Sequence, residues 1–460
     1  LSVLAPALAM ARTLAPVAVR GLVTAVRGLT VLVDELPVPV GSIVRVGDAP
    51  SAFDAGARSS AAISDQFGEV VGFTREHAIV MMLGQTAGIA SGQCVLAVQA
   101  APVAMVGFSL VGRVLNGLGR VLDGGPSPRE LVPRALSPEP ISPMKRSRIT
   151  QPIRTGVRAV DLMTPIGRGQ RMGIFAGPGV GKSTLLGSIA RRTSAQVNVI
   201  AMIGERGREV KDFIEHALGT EGLARSVVIV ATGDESPLMR VRASRLACCC
   251  AEFFRDAGLD VLLMMDSITR FAHAQRQIGL SAGEPPATKG YVPSVFAQMA
   301  LLLERAGSLE GAGSITGLYT ILVEGDDMTE PVADAARGIL DGHLILSRKL
   351  AQKAHFPAID VLDSVSRLAD DVASDEHMKA RRQILRLLAT YREVEDLVQI
   401  GAYARGSNPT ADAAIDLQAS IQEVLRQAKG DDGQFDVGLA TMLKLAKMSE
   451  DAVARATKKK

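Results

Sequence analysis

The sequence predicts an α/β protein in three successive parts: a unit of short strands, an α/β core with a mainly parallel sheet, and an α-helical C-terminal part. Three observations predict it. Short Val- and Ile-rich segments crowd the first hundred positions. From about Ile153, near-continuous apolar runs alternate with longer amphipathic stretches. After Ser374, apolar residues recur at helical spacing. The chain has 460 residues, more than one domain usually holds, so two or three are expected.

Residues 1–20 read as an N-terminal arm. The opening LSVLAPALAMA lacks a basic start and contains Pro6, which argues against a secretion signal. Pro6 and Pro16 also interrupt any amphipathic helix there. Over 21–100, GLVTAVRG, LTVLVDE, SIVRV, EVVGF, AIVMM and CVLAV are punctuated by Gly, Pro and Asp, which suggests a small barrel or sandwich. Residues 101–152 read as a turn-rich connection, with SPEPISP as its linker.

Over 153–373, RMGIFA, VNVIAMIG, SVVIVAT, VLLMMD, GLYTILVE and HLILS read as strands. Their lack of alternation means that both faces are covered, as in a parallel sheet between helices. Over 374–460, Ile384, Leu388 and Tyr391 share one helical face, and Leu417, Ile421 and Val424 share another. Thr410, just after Pro409, reads as the cap of the second helix. The Lys458–Lys460 tail reads as a solvated end.

Composition excludes several classes. Apolar residues are 47% and charged residues 22%, which excludes a mainly disordered chain. There is no Trp and aromatics are 3%, which disfavours binding of single-stranded nucleic acid by base stacking. A net charge of +3 gives no reason to expect a nucleic-acid partner. No apolar run reaches the roughly 18 residues that span a bilayer. Cys248, Cys249 and Cys250 are adjacent and point in different directions, so they suit neither a metal clamp nor a disulfide framework. They read as buried thiols in a reducing cytoplasm.

The sharpest signal is AGPGVGKST, between the strand RMGIFA and the helical TLLGSIARR. Strand, Gly-rich loop and helix in that order make a phosphate loop. Gly177, Gly179 and Gly181, with Pro178 and Val180 between them in the phosphate loop, let the backbone turn tightly so that several N–H groups converge, and the helix start favours an anion. Lys182 supplies charge for β- and γ-phosphates, and the Ser183 hydroxyl is a ligand for Mg²⁺, with Thr184 next to it. Ala176 stands where the generic pattern has its first Gly, which an ordinary backbone angle tolerates.

Hydrolysis needs a carboxylate for the metal and another for water. Asp266 ends VLLMMD, at the sheet edge where ligands bind; it reads as a metal ligand or as a cap for the following SITRFA helix. Glu205 directly follows VNVIAMIG and reads either as the base that orients water or as part of a solvated turn. Arg206 and Arg208 beside it would hold it or touch phosphate.

These motifs, with LLMMDSITRFAHAQRQIGL, GEPPATKGYVPSVFAQMALLLERAG, LVEGDDMTEPVADAARGILDGHLILSRKLA and PAIDVLDSVSR, occur in an order that resembles the catalytic ATPases of the rotary and secretion group. That group includes the F-type ATP synthase beta subunit and the type III secretion ATPases. The likeness covers about residues 20–450 and is nearest to the flagellum-specific export ATPases. It implies a RecA-like core, a small N-terminal β-barrel, Mg-ATP hydrolysis and a homo-oligomeric, hexameric ring.

Residue by residue, the resemblance implies that Lys182 and Ser183 bind phosphate and metal, Glu205 is the catalytic glutamate and Asp266 is the metal-associated aspartate. In the mechanism expected here, Arg206 would help Lys182, Mg²⁺ and a neighbour's Arg367 to offset the developing charge. By the same resemblance, Arg367, in DSVSR, is expected to reach the neighbouring subunit's site, and Phe356 to pack on adenine, where the family often has Tyr. His273, His343 and His355 read as structural. Implied partners are a peripheral stator-like regulator, a central stalk protein, export substrates and chaperones, at the inner face of the bacterial membrane. Three other readings stand beside this one. One is a virulence-type injectisome ATPase. Another is the catalytic subunit of a proton-translocating rotary synthase, against which the beta subunit's acidic DELSEED motif is absent. The last is a noncatalytic nucleotide-binding subunit, in which the glutamate would be replaced.

Overall fold

The structure is a computed structural model and describes residues 19–47, 66–99, 102–323 and 327–458. Of the expected N-terminal arm only its last two residues fall within these, and Arg20 already opens the first strand. Lys458 ends the last helix, and the rest of the basic tail lies outside the described residues.

Six strands, β1 (Arg20–Arg27), β2 (Thr30–Asp34), β3 (Ile43–Val46), β4 (Gln66–Phe73), β5 (Ala78–Met82) and β6 (Cys94–Gln99), close into a barrel in the order β1-β2-β5-β4-β3-β6. Each corresponds to one Val-rich segment of the sequence. Closure leaves no free edge, which decides for barrel over sandwich. Val23, Val33, Val44, Val80 and Val95 fill the interior.

The core is one sheet built on β7 (Val114–Asn116), β8 (Arg171–Ala176), β9 (Val197–Ile203), β10 (Ser226–Ala231), β11 (Asp260–Asp266), β12 (Ser314–Leu322), β13 (Gly342–Leu346) and β14 (Ile359–Ser366). The order is β14-β13-β8-β12-β11-β9-β10-β7. Pairing is parallel from β13 to β7, and β14 is antiparallel on β13. The edge strand β7 comes from the stretch that sequence reading treats as connection only.

Alternate residues of each strand serve different cores. On β9, Val199, Ala201 and Ile203 join one cluster, while Ile200 and Met202 join the other. The same split holds for β10 and β11, so the runs look uniformly apolar. Among the helices are α1 (Lys182–Arg192), α2 (Pro237–Asp256), α3 (Ile268–Ser281) and α4 (Pro331–Ile339). Cys248, Cys249 and Cys250 lie buried on α2 as free thiols, and burial pushes Cys248 up to about 12.

The C-terminal part is three helices, α5 (Asp375–Gln399), α6 (Pro409–Leu425) and α7 (Phe435–Lys458). Ile384, Leu417, Ile421 and Leu445 bury them against the second cluster. The expected cap of α6 needs correction. Asn408 is the cap, its side chain accepting from the N–H groups of Thr410 and Ala411. Pro409 then takes the first helical position, where its missing N–H costs nothing, and Thr410 falls inside the first turn.

Candidate active site

The site forms at the carboxyl edge of β8, β9 and β11. Ala176 ends β8 as a regular strand residue paired with Leu322 and Leu346, so the missing first Gly brings no strain. Past it, Gly179 (φ 76°) and Gly181 (φ 91°) lie in the left-handed region that favours glycine. A Cβ on Gly179 would meet nothing within 4 Å, so conformation and not crowding requires glycine there. Gly181 caps α1, and Lys182 and Ser183 form its first turn. The N–H groups of that turn have no intrahelical acceptors and face the loop.

Lys182 Nζ lies 2.5 Å from Asp266 Oδ1 and 3.5 Å from Glu205 Oε1. Three residues distant in sequence thus meet because β8, β9 and β11 end at one edge. Asp266 is 2% exposed and also accepts from Thr320 Oγ1 at 2.6 Å. It does not cap α3. Ser267 does, accepting from the Arg270 N–H, which leaves the Asp266 carboxylate to the site. Burial pulls the Lys182 ammonium down, but Asp266 and Glu205 outweigh it and hold it above the ordinary lysine value.

Glu205 is 9% exposed, not a solvated turn residue. The Gly204 N–H donates to the Ala231 carbonyl at 2.6 Å and the Gly233 N–H to the Glu205 carbonyl at 3.0 Å, fixing the segment against β10. Burial raises the Glu205 carboxyl to about 7; Lys182 opposes this, while Asp266 and Glu209 add to it. Its Oε1 is buried without a hydrogen bond. A carboxylate with spare acceptor capacity and a pKa near neutrality suits the handling of a proton.

Mg²⁺ fits this donor set. The described residues hold no cluster of three or more His, Cys, Asp or Glu ready for a metal. Mg²⁺ takes few protein oxygens and completes its shell with phosphates and water. The Asp266 carboxylate and Ser183 hydroxyl are the hard oxygens such an ion would use.

Phe356 is 46% exposed and is not core. Its ring lies 3.6 Å from where a Gly181 Cβ would stand. With Val180, Leu185, Leu346 and Pro357 it lines a mainly apolar cavity of about 430 Å³ beside α1. An apolar slot next to a phosphate loop suits a flat heteroaromatic ring.

Three predicted arginines stand elsewhere. The Arg206 side chain is 87% exposed and pairs with Glu209 at 3.7 Å, so the structure does not bring it to Lys182 and the carboxylates. Arg208 is 92% exposed and pairs with Asp212. Arg206 is the cap position of the helix Gly207–Asp212, whose start directs both arginines to solvent. Arg367 follows β14, whose last residue Ser366 pairs with Gly342 at the start of β13. That is the edge opposite the phosphate loop, about 17 Å away along β8. Its guanidinium is exposed and meets the Arg337 carbonyl at 3.3 Å.

His273 bonds Tyr291, His355 accepts from Arg426, and His343 packs edge-on to Phe175, all away from the carboxylates. Sequence reading missed two contributors. Thr320, which holds Asp266, is a lone hydroxyl in the apolar GLYTIL, and that was its signal. Gln427, Ala428 and Lys429, from the loop between α6 and α7, line the apolar cavity. The Gln427 N–H donates to the Phe356 carbonyl at 2.9 Å, and its side chain bonds Arg158 N–H and Gly156 O at 2.8 Å each. No local signal marks Gln427.

The ATP synthase alpha/beta family nucleotide-binding domain matches residues 156–366, and the type III secretion EscN ATPase C-terminal domain matches residues 373–444. The chain is 49% identical over 377 residues to the flagellum-specific ATP synthase of Bacillus subtilis (strain 168), covering 82% of this chain and 86% of the relative. The chain belongs to the family of flagellum-specific ATP synthases and type III secretion ATPases. It is also 52% identical over 365 residues to the type 3 secretion system ATPase of Xanthomonas euvesicatoria, covering 79% and 82% of the two chains. Among solved structures it is similar to assembled EscN of enteropathogenic E. coli in complex with its central stalk EscO. That match has a TM-score of 0.83 and 38% identity, covering 93% of this chain and 100% of that one. Barrel, mainly parallel core and C-terminal helices agree with that fold.

Proposed function

We propose that this chain hydrolyses Mg-ATP to ADP and phosphate to energise protein export by a flagellar type III secretion apparatus. The observation that carries the reading is the Lys182 ammonium held between Glu205 and Asp266 at the mouth of the phosphate loop. A bound triphosphate competes for that ammonium. The loop's N–H groups and Lys182 hold the β- and γ-phosphates, and the apolar cavity takes the purine. Glu205 accepts a proton from the attacking water as the bond from γ-phosphorus to the bridging oxygen breaks. Mg²⁺, when bound, offsets charge on the phosphate oxygens, with Ser183 and Asp266 as its protein ligands.

Arg367 serves a neighbour's site. Its place on the sheet edge opposite its own loop supports this, since one chain cannot bring the two together. An inserted guanidinium is worth ~10³–10⁵ in rate. Hydrolysis then needs a homo-oligomer, which we take to be a hexameric ring. A central stalk protein fits its axis, as EscO does for EscN. A stator-like regulator, export substrates and chaperones complete the proposed partners, with the ring peripheral to the inner face of the bacterial membrane. No described helix is long and apolar enough to cross a membrane.

Glu205→Gln tests the chemistry: ATP binding stays and turnover falls at least ~10²-fold. Unchanged turnover removes Glu205 as the base. The injectisome reading is favoured by the similarity to the Xanthomonas secretion ATPase. Deleting the gene separates the two: loss of motility supports the flagellar reading, and intact motility with lost effector secretion supports the other.

A further inference from the structure

Arg367 has no strong side-chain anchor of its own among the described residues, yet its backbone is held firmly. Its N–H donates to the Asp341 carbonyl at 3.0 Å. Asp341 sits between α4 and β13 and is the hub of the sheet edge opposite the phosphate loop. Its N–H donates to the Arg171 carbonyl at 2.9 Å. Its carboxylate accepts three bonds from Arg171, each 3.0 Å long: the N–H and Nε to Oδ2, and a terminal guanidinium nitrogen to Oδ1. Gln170, fully buried, donates its side-chain amide to the Asp341 carbonyl at 3.2 Å and to Ser366 Oγ at 3.0 Å. Asp341 is thereby tied to both residues that end the Arg367 strand.

Arg171 opens β8, the strand whose other end becomes the phosphate loop. One short strand thus has the loop at one end and the anchor of Arg367 at the other. A bidentate guanidinium–carboxylate pair is directional and stiff. We infer that Asp341, locked by Arg171, is a positioning residue that sets Arg367 for the neighbouring subunit's site. This inference rests on the reading of Arg367 given above. Asp341 lies away from the phosphate loop and acts only through the Arg367 N–H and, by way of Gln170, through Ser366 Oγ. A displacement of about 1 Å at a transition-state contact costs on the order of 10²-fold in rate.

The test is mixing of full-length chains in Mg-ATP hydrolysis. Asp341→Asn keeps the shape but turns one acceptor into a donor facing Arg171 donors. Arg171→Lys keeps charge but removes the fork, and stands in should the first variant fold poorly. For each, kcat falls about 10–100-fold, with the chain's own nucleotide affinity within about twofold of wild type. Either variant is then combined, as dilute monomer, with Glu205→Gln and concentrated together. The positioning variant supplies competent clefts and the Glu205→Gln chain a well-set arginine. The mixture exceeds the sum of the two assayed apart by at least about fivefold. No gain on mixing, or an unchanged kcat in both variants, overturns the role of Asp341. Arg367→Ala mixed with Glu205→Gln is the control. If that mixture fails to gain, the neighbour-site reading falls; if it gains and the Asp341→Asn mixture does not, only this inference falls.

Discussion

Lys182, the first residue of α1, donates to Asp266, the last residue of β11, at 2.5 Å. The ammonium faces a second carboxylate, Glu205, and all three side chains are largely buried. Replacing Lys182 by Met leaves two buried carboxylates without their cation. The cost is about 3–5 kcal/mol when both are ionised. Lys182 is what opposes the burial-driven rise of the Glu205 carboxyl, so without it Glu205 binds its proton still more tightly folded than unfolded, and stability drops as pH climbs through its raised value. Lys182→Met should therefore melt further below wild type at pH 8 than at pH 5, besides losing ATP turnover. An equal deficit at both pH values in calorimetry contradicts the buried cluster.

Burial above all raises the Glu205 carboxyl from the ordinary carboxylate range to about 7. A base must be ionised, so kcat/KM should fall about tenfold per pH unit below that value. Glu209 contributes to the raised pKa. Glu209→Gln should move the limb to lower pH and leave the plateau rate close to wild type. A limb that stays in place in a pH–rate series separates Glu209 from the base.

Phe356→Ala removes the ring beside Gly181. Stacking of a base on an aromatic ring is worth about 1–3 kcal/mol. KM for ATP should rise about 5–150-fold, with a smaller change in kcat, whereas Phe356→Tyr should bind at least as well as wild type. Titration with a fluorescent ATP analogue reads both.

Gln427→Ala strands the Arg158 N–H and the Gly156 carbonyl. Each buried group left unpaired costs about 1–3 kcal/mol. The melting temperature should fall by several degrees, and KM for ATP should rise because the Gln427–Lys429 wall of the cavity loosens. Thermal denaturation with and without ATP separates the two effects.

Much of this was legible in the residues. The six barrel strands show as Val-rich runs between turn residues, and the loop shows because glycines at fixed spacing follow a strand and open a helix. Asp266 and Glu205 are readable as strand-end carboxylates, although only the tertiary structure separates a buried carboxylate from a solvated turn at Glu205 and shows that Ser267, not Asp266, caps α3. Proximity to Glu205 in sequence says nothing of direction: the backbone at Arg206 starts a helix and turns the side chain outward. Thr320 depends on the register of β12 against its neighbours, and Gln427 on contacts to Gly156 across 271 positions. Neither register nor such long reach is encoded in a local pattern.

The wall formed by Gln427, Ala428 and Lys429 makes the apolar cavity beside Phe356 a joint rather than a container. The same few residues that line it also join α6 to α7. On the proposed reading, a purine held between Phe356 and that wall bears directly on the connection between two long helices, and hydrogen exchange along α6 and α7 with and without ATP should read the difference.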